Sequence, residues 1–228
     1  MPTALVLSGG GMFGAWQAGA WSALARSLQP DLIVGTSVGS LNGYLIACGM
    51  SPEELCRNWL DPRFSRLPDL RENVKLLTAA FQPRISLAVT ATDLFRLKPK
   101  AFHNATIGWQ HLTASCAIPL ILPHVTIDGR VYVDGGLVNP IPVWAAVEVG
   151  ATRIVVLDIV PKAPAPLRPL IRAFRWLTWR NPPVPPGVQL DILKPSRQLG
   201  SLLDAVRWRR SNIERWLELG ASDARDSS

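Results

Sequence analysis

Ser37 stands between two glycines, in the stretch Gly35-Thr36-Ser37-Val38-Gly39. A short apolar run precedes the stretch, and the residues from Leu41 to Ala47 read as a helix. Strand, tight turn and helix in this order are the context of a nucleophile elbow. The two glycines remove Cβ atoms that would clash in so sharp a turn, and the N-terminus of the following helix faces the serine hydroxyl. The pattern predicts a serine nucleophile; the alternative is a glycine-rich turn with an incidental serine.

A second glycine cluster, Gly9-Gly10-Gly11 with Gly14, lies between the apolar run Ala4–Ser8 and a helical pattern that starts at Ala15. The spacing also matches the dinucleotide fingerprint, which requires an acidic residue at the end of the second strand. Here Asp31 opens that strand and the serine turn ends it, so the second requirement is not met. Consecutive glycines at the head of a helix expose backbone N–H groups to an oxygen anion. Beside Ser37 this loop would be an oxyanion hole, as acyl transfer needs; a phosphate-binding or merely tight turn is the alternative.

The base that would serve Ser37 is less clear from the residues. Asp93 ends the predicted strand 84–93, and Asp134 follows a predicted hairpin that turns at Asp128-Gly129. The chain has three histidines, and all of them precede Asp134. A triad of Ser37, Asp93 and His124 keeps the chain order that is usual after this motif. A dyad in which Asp134 takes the serine proton directly would need an aspartate whose pKa is raised. Spacing leaves both arrangements open.

These blocks together resemble the patatin-like phospholipase family in its bacterial-type, single-domain form. The resemblance runs from about Thr3 to Ile159 and rests on Gly9-Gly10-Gly11-Met12-Phe13-Gly14, Gly35-Thr36-Ser37-Val38-Gly39, Ala91-Thr92-Asp93-Leu94, Ala114-Ser115-Cys116-Ala117-Ile118-Pro119, Asp134-Gly135-Gly136 and Asn139-Pro140. It implies Ser37 as nucleophile, Asp134 as base, and an oxyanion hole made by Gly9, Gly10, Gly11 and Gly14. The family often has a basic residue just before the last glycine of the first block, where this chain has Phe13. A cation that would bind an anionic headgroup at that position is therefore missing.

The resemblance implies a three-layer α/β/α fold with a mostly parallel central sheet. It also implies a serine lipid-acyl hydrolase, of the phospholipase A or esterase type, that works through an acyl-enzyme. The substrate would be a phospholipid or another acyl-ester lipid, with no cofactor and no metal. Two alternatives remain: a non-catalytic lipid- or nucleotide-binding protein that uses the Gly9–Gly14 loop, and an acyltransferase in which an alcohol replaces water.

The composition indicates a globular chain. Of its 228 residues 48% are hydrophobic and 18% charged, which favours one domain over residues 1–228. The net charge of +7 favours anionic partners. We expect an anionic membrane surface rather than nucleic acid, since no nucleic-acid motif is present. The three cysteines indicate reduced thiols. With no signal-like start and no apolar run long enough to span a bilayer, we expect a cytoplasmic protein, at most peripheral to the inner membrane surface.

Several segments outside these blocks have a predicted role. Residues 51–83 are proline-rich with short helical pieces and would cover one face of the site. Residues 162–190 are rich in proline, arginine and tryptophan, and Lys162 to Arg180 holds five basic residues and no acidic one. They are a candidate membrane-surface element.

In that element, a helix over 167–180 would place Leu167, Leu170, Ile171, Phe174 and Leu177 on one face and Arg168, Arg172, Arg175, Trp176, Trp179 and Arg180 on the other. A surface helix docked by its apolar stripe is the alternative. Further helices are predicted from a cap at Asn139 to Gly150, and along Leu199 to Leu217. Residues 221–228 would be a frayed tail.

Overall fold

An eight-stranded mixed β-sheet runs through the structure, a computed structural model that describes residues 2–65, 69–103, 107–163 and 165–226. The strands follow the order β5-β6-β3-β2-β1-β7-β8, and β4 pairs with β3. The central strands β3, β2, β1, β7 and β8 are parallel, whereas β4, β5 and β6 pair in antiparallel fashion. The strands are β1 (Thr3–Leu7), β2 (Leu32–Thr36), β3 (Ser86–Asp93), β4 (Lys98–His103), β5 (Val125–Ile127), β6 (Arg130–Asp134), β7 (Arg153–Leu157) and β8 (Gln189–Leu193).

Helices connect the strands. They are α1 (Gly14–Leu24), α2 (Val38–Ala47), α3 (Pro52–Leu60), α4 (Leu70–Ala80), α5 (Trp109–Ser115), α6 (Val143–Glu148), α7 (Arg168–Thr178) and α8 (Arg210–Asp226). Of the predicted 51–83 excursion, residues 66–68 lie outside the described part of the chain, as does residue 164 of the 162–190 segment.

The central strands bury both faces. Along β1 and β2, Leu5, Leu7 and Ile33 pack into the core that contains α1, α2 and α8. The alternate residues Val6 and Val34 pack into the opposite core, beneath α6. Alternation of side chains across a pleated sheet explains this division. The predicted three-layer α/β/α arrangement with a mostly parallel sheet is confirmed.

The hairpin prediction is also confirmed. Val125–Ile127 and Arg130–Asp134 pair in antiparallel register across Asp128 and Gly129. Both turn residues have positive φ, 48° and 72°, as the favoured two-residue hairpin turn requires. This turn directs β6 back into the sheet and places Asp134 at its end.

Two predicted helix boundaries are wrong. The helix expected from Asn139 starts instead at Val143, because Gly135–Leu137 forms a 3₁₀ turn and Pro142 is the N-cap. The closing helix expected along Leu199 to Leu217 is α8, which begins at Arg210. The hydroxyl of Ser201 and the carboxylate of Asp204 bond locally to each other's backbone N–H groups, which holds the residues before α8 in turns.

The predicted frayed tail is wrong for residues 221–226, which form the last turns of α8. Inside the core, Trp16 Nε1 donates a 2.8 Å hydrogen bond to Asp223 Oδ2, and Ala224 is fully buried. The helices α1 and α8 meet closely at two glycines: a Cβ on Gly19 would lie 2.1 Å from Leu217 O, and one on Gly220 would lie 2.1 Å from Trp16 O. Residues 227–228 lie outside the described residues.

The α1–α8 contact predicts that Gly220→Ala lowers the free energy of unfolding, although a glycine-to-alanine change within a helix usually raises it. Helix propensity alone would make this change stabilising by about 1 kcal/mol. Because the added methyl would overlap the backbone of α1, we expect the free energy of unfolding to fall by roughly 1–3 kcal/mol. Denaturant unfolding measures it, with Glu218→Ala on the exposed side of α8 as the matched control. A stabilised Gly220→Ala protein would contradict the close packing of the two helices.

Candidate active site

Ser37 occupies a strained turn between β2 and α2. Its backbone has φ 55° and ψ −131°, a conformation that costs a non-glycine residue free energy and is typical of functional turns. The turn also requires the absence of a side chain at the neighbouring glycines. A Cβ on Gly35 would lie 2.4 Å from Gly39 O, and one on Gly39 would lie 2.3 Å from Leu7 O. The predicted elbow geometry is therefore present.

Ser37 and Asp134 meet at the carboxyl edge of the parallel strands. Ser37 Oγ donates a 2.6 Å hydrogen bond to Asp134 Oδ2, and both residues are 7% exposed. The second carboxylate oxygen, Oδ1, accepts the N–H of Gly136 at 2.6 Å. Both oxygens therefore have a donor, and the orientation of the carboxylate is fixed.

Burial raises the pKa of Asp134 from 3.8 to about 6, although the hydrogen bonds from Ser37 and Gly136 lower it. Burial dominates because a carboxylate loses hydration that two hydrogen bonds only partly replace. An aspartate with this pKa is ionised at pH 7 and is a stronger base than an ordinary aspartate. These are the properties that a general base for Ser37 would need.

The alternative triad residues do not meet Ser37. Asp93 Oδ1 accepts the N–H of Arg96, and its other oxygen lies 3.9 Å from Arg96 Nη1. His124 is exposed to solvent in the segment before β5. Of the two arrangements that the sequence left open, the structure brings together only Ser37 and Asp134.

The glycine loop lies beside Ser37, since a Cβ on Gly9 would be 3.2 Å from Ser37 Cβ. Two of the four predicted oxyanion glycines have their N–H groups in use: Gly9 donates to Pro140 O at 2.9 Å, and Gly14 donates to Gly11 O and Met12 O. For these two the donor prediction is wrong in this structure, because each N–H holds the loop together. Gly10 and Gly11 have no hydrogen-bond acceptor within the described part of the chain. They precede a helix, where N–H groups are free to bind an anion.

Three features of the site were missed by the sequence analysis. Val38 follows Ser37 at the first position of α2, where its N–H has no intrahelical acceptor and can serve as an oxyanion donor. Ser115 Oγ accepts the N–H of Ser37 at 2.8 Å and donates to Thr90 O at 2.7 Å. Only the family resemblance of the block around Ser115 pointed to it.

The third missed feature is a buried amide network behind the glycine loop. Gln17 Nε2 donates to Ser8 O and Leu157 O. Asn42 Nδ2 donates to Gly14 O at 2.9 Å and to Gln17 Oε1 at 3.1 Å, while Asn42 Oδ1 accepts from Trp59 Nε1. The network joins the loop to α2 and α3. Nothing in the sequence pattern distinguishes these amides from exposed ones.

A cavity of about 630 Å³ contains Ser37 in its wall. It follows one face of α2, from Val38 through Leu41 and Leu45 to Cys48, which spans about 15 Å at 1.5 Å per residue. The facing wall comes from the predicted cover, in particular from α4 through Val74 and Leu77. The excursion over 51–83 thus lines the cavity, and the lining is mostly apolar.

Phe13 points away from the cavity. Its side chain is 2% exposed and packs edge-on against Trp216, with ring centroids 5.0 Å apart. The position where the family often has a basic residue is therefore a core contact between the glycine loop and α8.

Residues 5–87 and 64–147 match the family model described as Patatin-like phospholipase. Patatin-like phospholipase domain-containing protein 7 of Rattus norvegicus is 26% identical over 206 residues, which cover 78% of this chain and 15% of that protein. Lysophospholipase NTE1 of Mycosarcoma maydis is 27% identical over 183 residues, 70% of this chain and 10% of that protein. This chain thus spans only a small part of the curated relatives that it matches.

A solved structure shares the fold. VipD from Legionella pneumophila superposes with a TM-score of 0.58 at 11% sequence identity, covering 99% of this chain and 66% of that one. Across the described residues, no helix is both long enough and apolar enough to cross a membrane.

Because the pKa of Asp134 is raised, we expect Asp134→Asn to stabilise the protein by an amount that depends on pH. A folded-state pKa above the unfolded value means that the folded state binds the proton more tightly, so the ionised residue destabilises the fold as pH rises from about 4 through about 6. Asparagine keeps the shape without the charge. We expect it to raise the free energy of unfolding by up to about 3 kcal/mol at pH 8 and by little near pH 4.

Denaturant unfolding of both proteins at the two pH values measures this difference. Asp128→Asn in the exposed hairpin turn controls for the loss of one negative charge. A gain that is equal at both pH values would contradict the raised pKa.

Proposed function

This chain belongs to the patatin-like phospholipase family, and from that premise and the site geometry we propose that it is a serine lipid-acyl hydrolase with a Ser37–Asp134 dyad. The observation that carries the proposal is the buried 2.6 Å hydrogen bond from Ser37 Oγ to Asp134 Oδ2. We further infer that residues 1–228 act as a single patatin-like domain.

In the first half-reaction Asp134 takes the proton of Ser37 as Oγ attacks the ester carbonyl. The attack gives a tetrahedral oxyanion, and its collapse breaks the bond to the alcohol, which leaves with the proton from Asp134. The fatty acyl group stays on Ser37 as an ester. Asp134 needs no movement for this, since it already accepts the hydroxyl proton that it would remove.

The oxyanion would be stabilised by the N–H groups of Gly10, Gly11 and Val38, which have no acceptor in the described structure. Fixed donors of this kind act because they point at charge that appears only in the transition state. In the second half-reaction Asp134 takes a proton from water, the hydroxide attacks the acyl ester, and Ser37 leaves with that proton. The fatty acid is released and the dyad is restored.

The cavity supports a lipid acyl chain as the bound part of the substrate. Its volume lies in the range of ligand pockets, and its apolar length along α2 suits a chain whose ester end reaches Ser37. The relative from Mycosarcoma maydis is named a lysophospholipase, which favours a phospholipid or lysophospholipid substrate here. Such substrates lie in membranes or micelles, so the proposal includes peripheral association with a lipid surface.

Fatty acid release from lysophosphatidylcholine tests the proposal. We expect Ser37→Ala to lose at least about 10³-fold in kcat/KM and Asp134→Asn at least about 10²-fold, because nucleophile and base are each essential to acyl transfer. His124→Ala and Asp93→Asn are the matched controls and should stay within about threefold of the wild type. Folding of each variant is checked by circular dichroism. A folded Asp134→Asn protein with full activity, or an inactive His124→Ala protein, would contradict the dyad.

A further inference from the structure

The helix α7 leaves several large apolar side chains exposed to solvent. No residue of α7 is fully buried. Leu170, Trp176 and Leu177 are 67%, 57% and 74% exposed. A helix that served only to complete the core would turn these residues inward.

The face of α7 that touches the protein is a different one. Ile171, Phe174, Arg175 and Thr178, at helical spacing, are half-buried. The apolar stripe predicted from the sequence is therefore divided: Ile171 and Phe174 face the protein, while Leu170 and Leu177 face solvent. The alternative of a surface helix docked by the whole stripe does not hold.

The exposed side of this region is basic. Residues 159–190 contain no aspartate or glutamate. Arg168, Arg172 and Arg180 are exposed and take part in none of the salt bridges found among the described residues. The guanidinium of Arg180 lies 4.1 Å from the centre of the Trp176 ring. Exposed leucine and tryptophan beside unpaired arginine are the combination that binds an anionic lipid surface.

Arg175 connects α7 to the active site. Its side chain turns toward the protein, and Nη2 donates a 3.1 Å hydrogen bond to Gly136 O. The N–H of the same Gly136 binds Asp134 Oδ1. Gly136 is two positions after Asp134 in the chain, so their Cα atoms lie within about 7 Å. The inward face of α7 therefore lies close to the dyad.

We propose that α7 is a docking helix for an anionic bilayer, with Leu170, Trp176 and Leu177 in the acyl boundary and Arg168, Arg172 and Arg180 at the headgroups. The attachment at Gly136 places the dyad next to the bilayer that supplies its substrate. The role of docking in supplying substrate rests on the proposed function. Binding of α7 to the bilayer does not depend on catalysis.

Vesicle sedimentation with the Ser37→Ala protein tests the docking without consuming lipid. The vesicles are phosphatidylcholine alone or phosphatidylcholine with phosphatidylglycerol. We expect binding to the anionic vesicles only, because each basic residue near an anionic surface strengthens binding several-fold. Arg168→Glu with Arg172→Glu should weaken it at least tenfold, and Leu170→Gln with Leu177→Gln should weaken it by a similar factor.

The control substitutions lie outside α7. Arg26→Glu follows the end of α1, and Val149→Gln follows the end of α6; both residues are exposed. We expect each to bind anionic vesicles as the parent does. Equal losses in the controls and in the α7 variants, or no loss in the α7 variants, would overturn the proposal.

A second assay separates the docking proposal from the hydrolase proposal. The same α7 substitutions are made in the protein that retains Ser37, and turnover of a short-chain, water-soluble ester is measured. Weak vesicle binding with unchanged soluble turnover supports docking by α7. Vesicle binding without any ester turnover in the unchanged protein would contradict the hydrolase and leave the docking standing. Turnover with vesicle binding that does not depend on α7 would contradict the docking and leave the hydrolase standing.

Discussion

The hydrogen bond between Ser37 Oγ and Asp134 Oδ2 is the contact on which the rest of the site depends. It is made in a buried position, where ionised Asp134 has Ser37 and the N–H of Gly136 as its partners. Burial raises the pKa of the carboxyl to about 6, although the two hydrogen bonds lower it. The same lack of hydration that costs stability makes the aspartate a stronger base, so the proposed activity and the local cost to stability have one cause.

The sheet brings the two residues together from distant parts of the chain. Ser37 follows β2 and Asp134 ends β6, and both strands pair with β3. Thr36 at the end of β2 pairs with Thr90, and Asp134 pairs with the next residue of β3, Ala91. The hydroxyl of Ser115 bridges the two parts: it accepts the N–H of Ser37 and donates to Thr90 O of β3. Ser115 thus links the backbone of the elbow to the backbone of β3. The α3–α4 side of the cavity, in contrast, is formed by helices outside the sheet.

The parts of the fold that depend on local chemistry could be predicted from the sequence. The elbow follows from Gly35 and Gly39, because a Cβ at either position would clash with neighbouring backbone. The hairpin follows from Asp128-Gly129, because its two turn residues need positive φ. Which glycine N–H groups are free could not be predicted, since the acceptor for Gly9 is Pro140, far along the chain.

The remaining errors have a similar origin. The end of α8 looked like a polar tail, but Asp223 bonds to Trp16 and Gly220 allows α1 to approach. The strand β4, which contains Lys98-Pro99-Lys100, is not among the predicted strands; it pairs with β3 in antiparallel register. On α7, hydrophobic periodicity located the helix but not its inward face, because Arg175 turns inward to reach Gly136.

Labelling by a fluorophosphonate probe measures the activation of Ser37 by Asp134. Mass spectrometry of the labelled protein locates the adduct. We expect labelling at Ser37 that is absent in Ser37→Ala, at least about 10²-fold slower in Asp134→Asn, and slower in the parent protein as pH falls through about 6. Labelling of a folded Asp134→Asn protein at the parent rate, with the same dependence on pH, would contradict that activation.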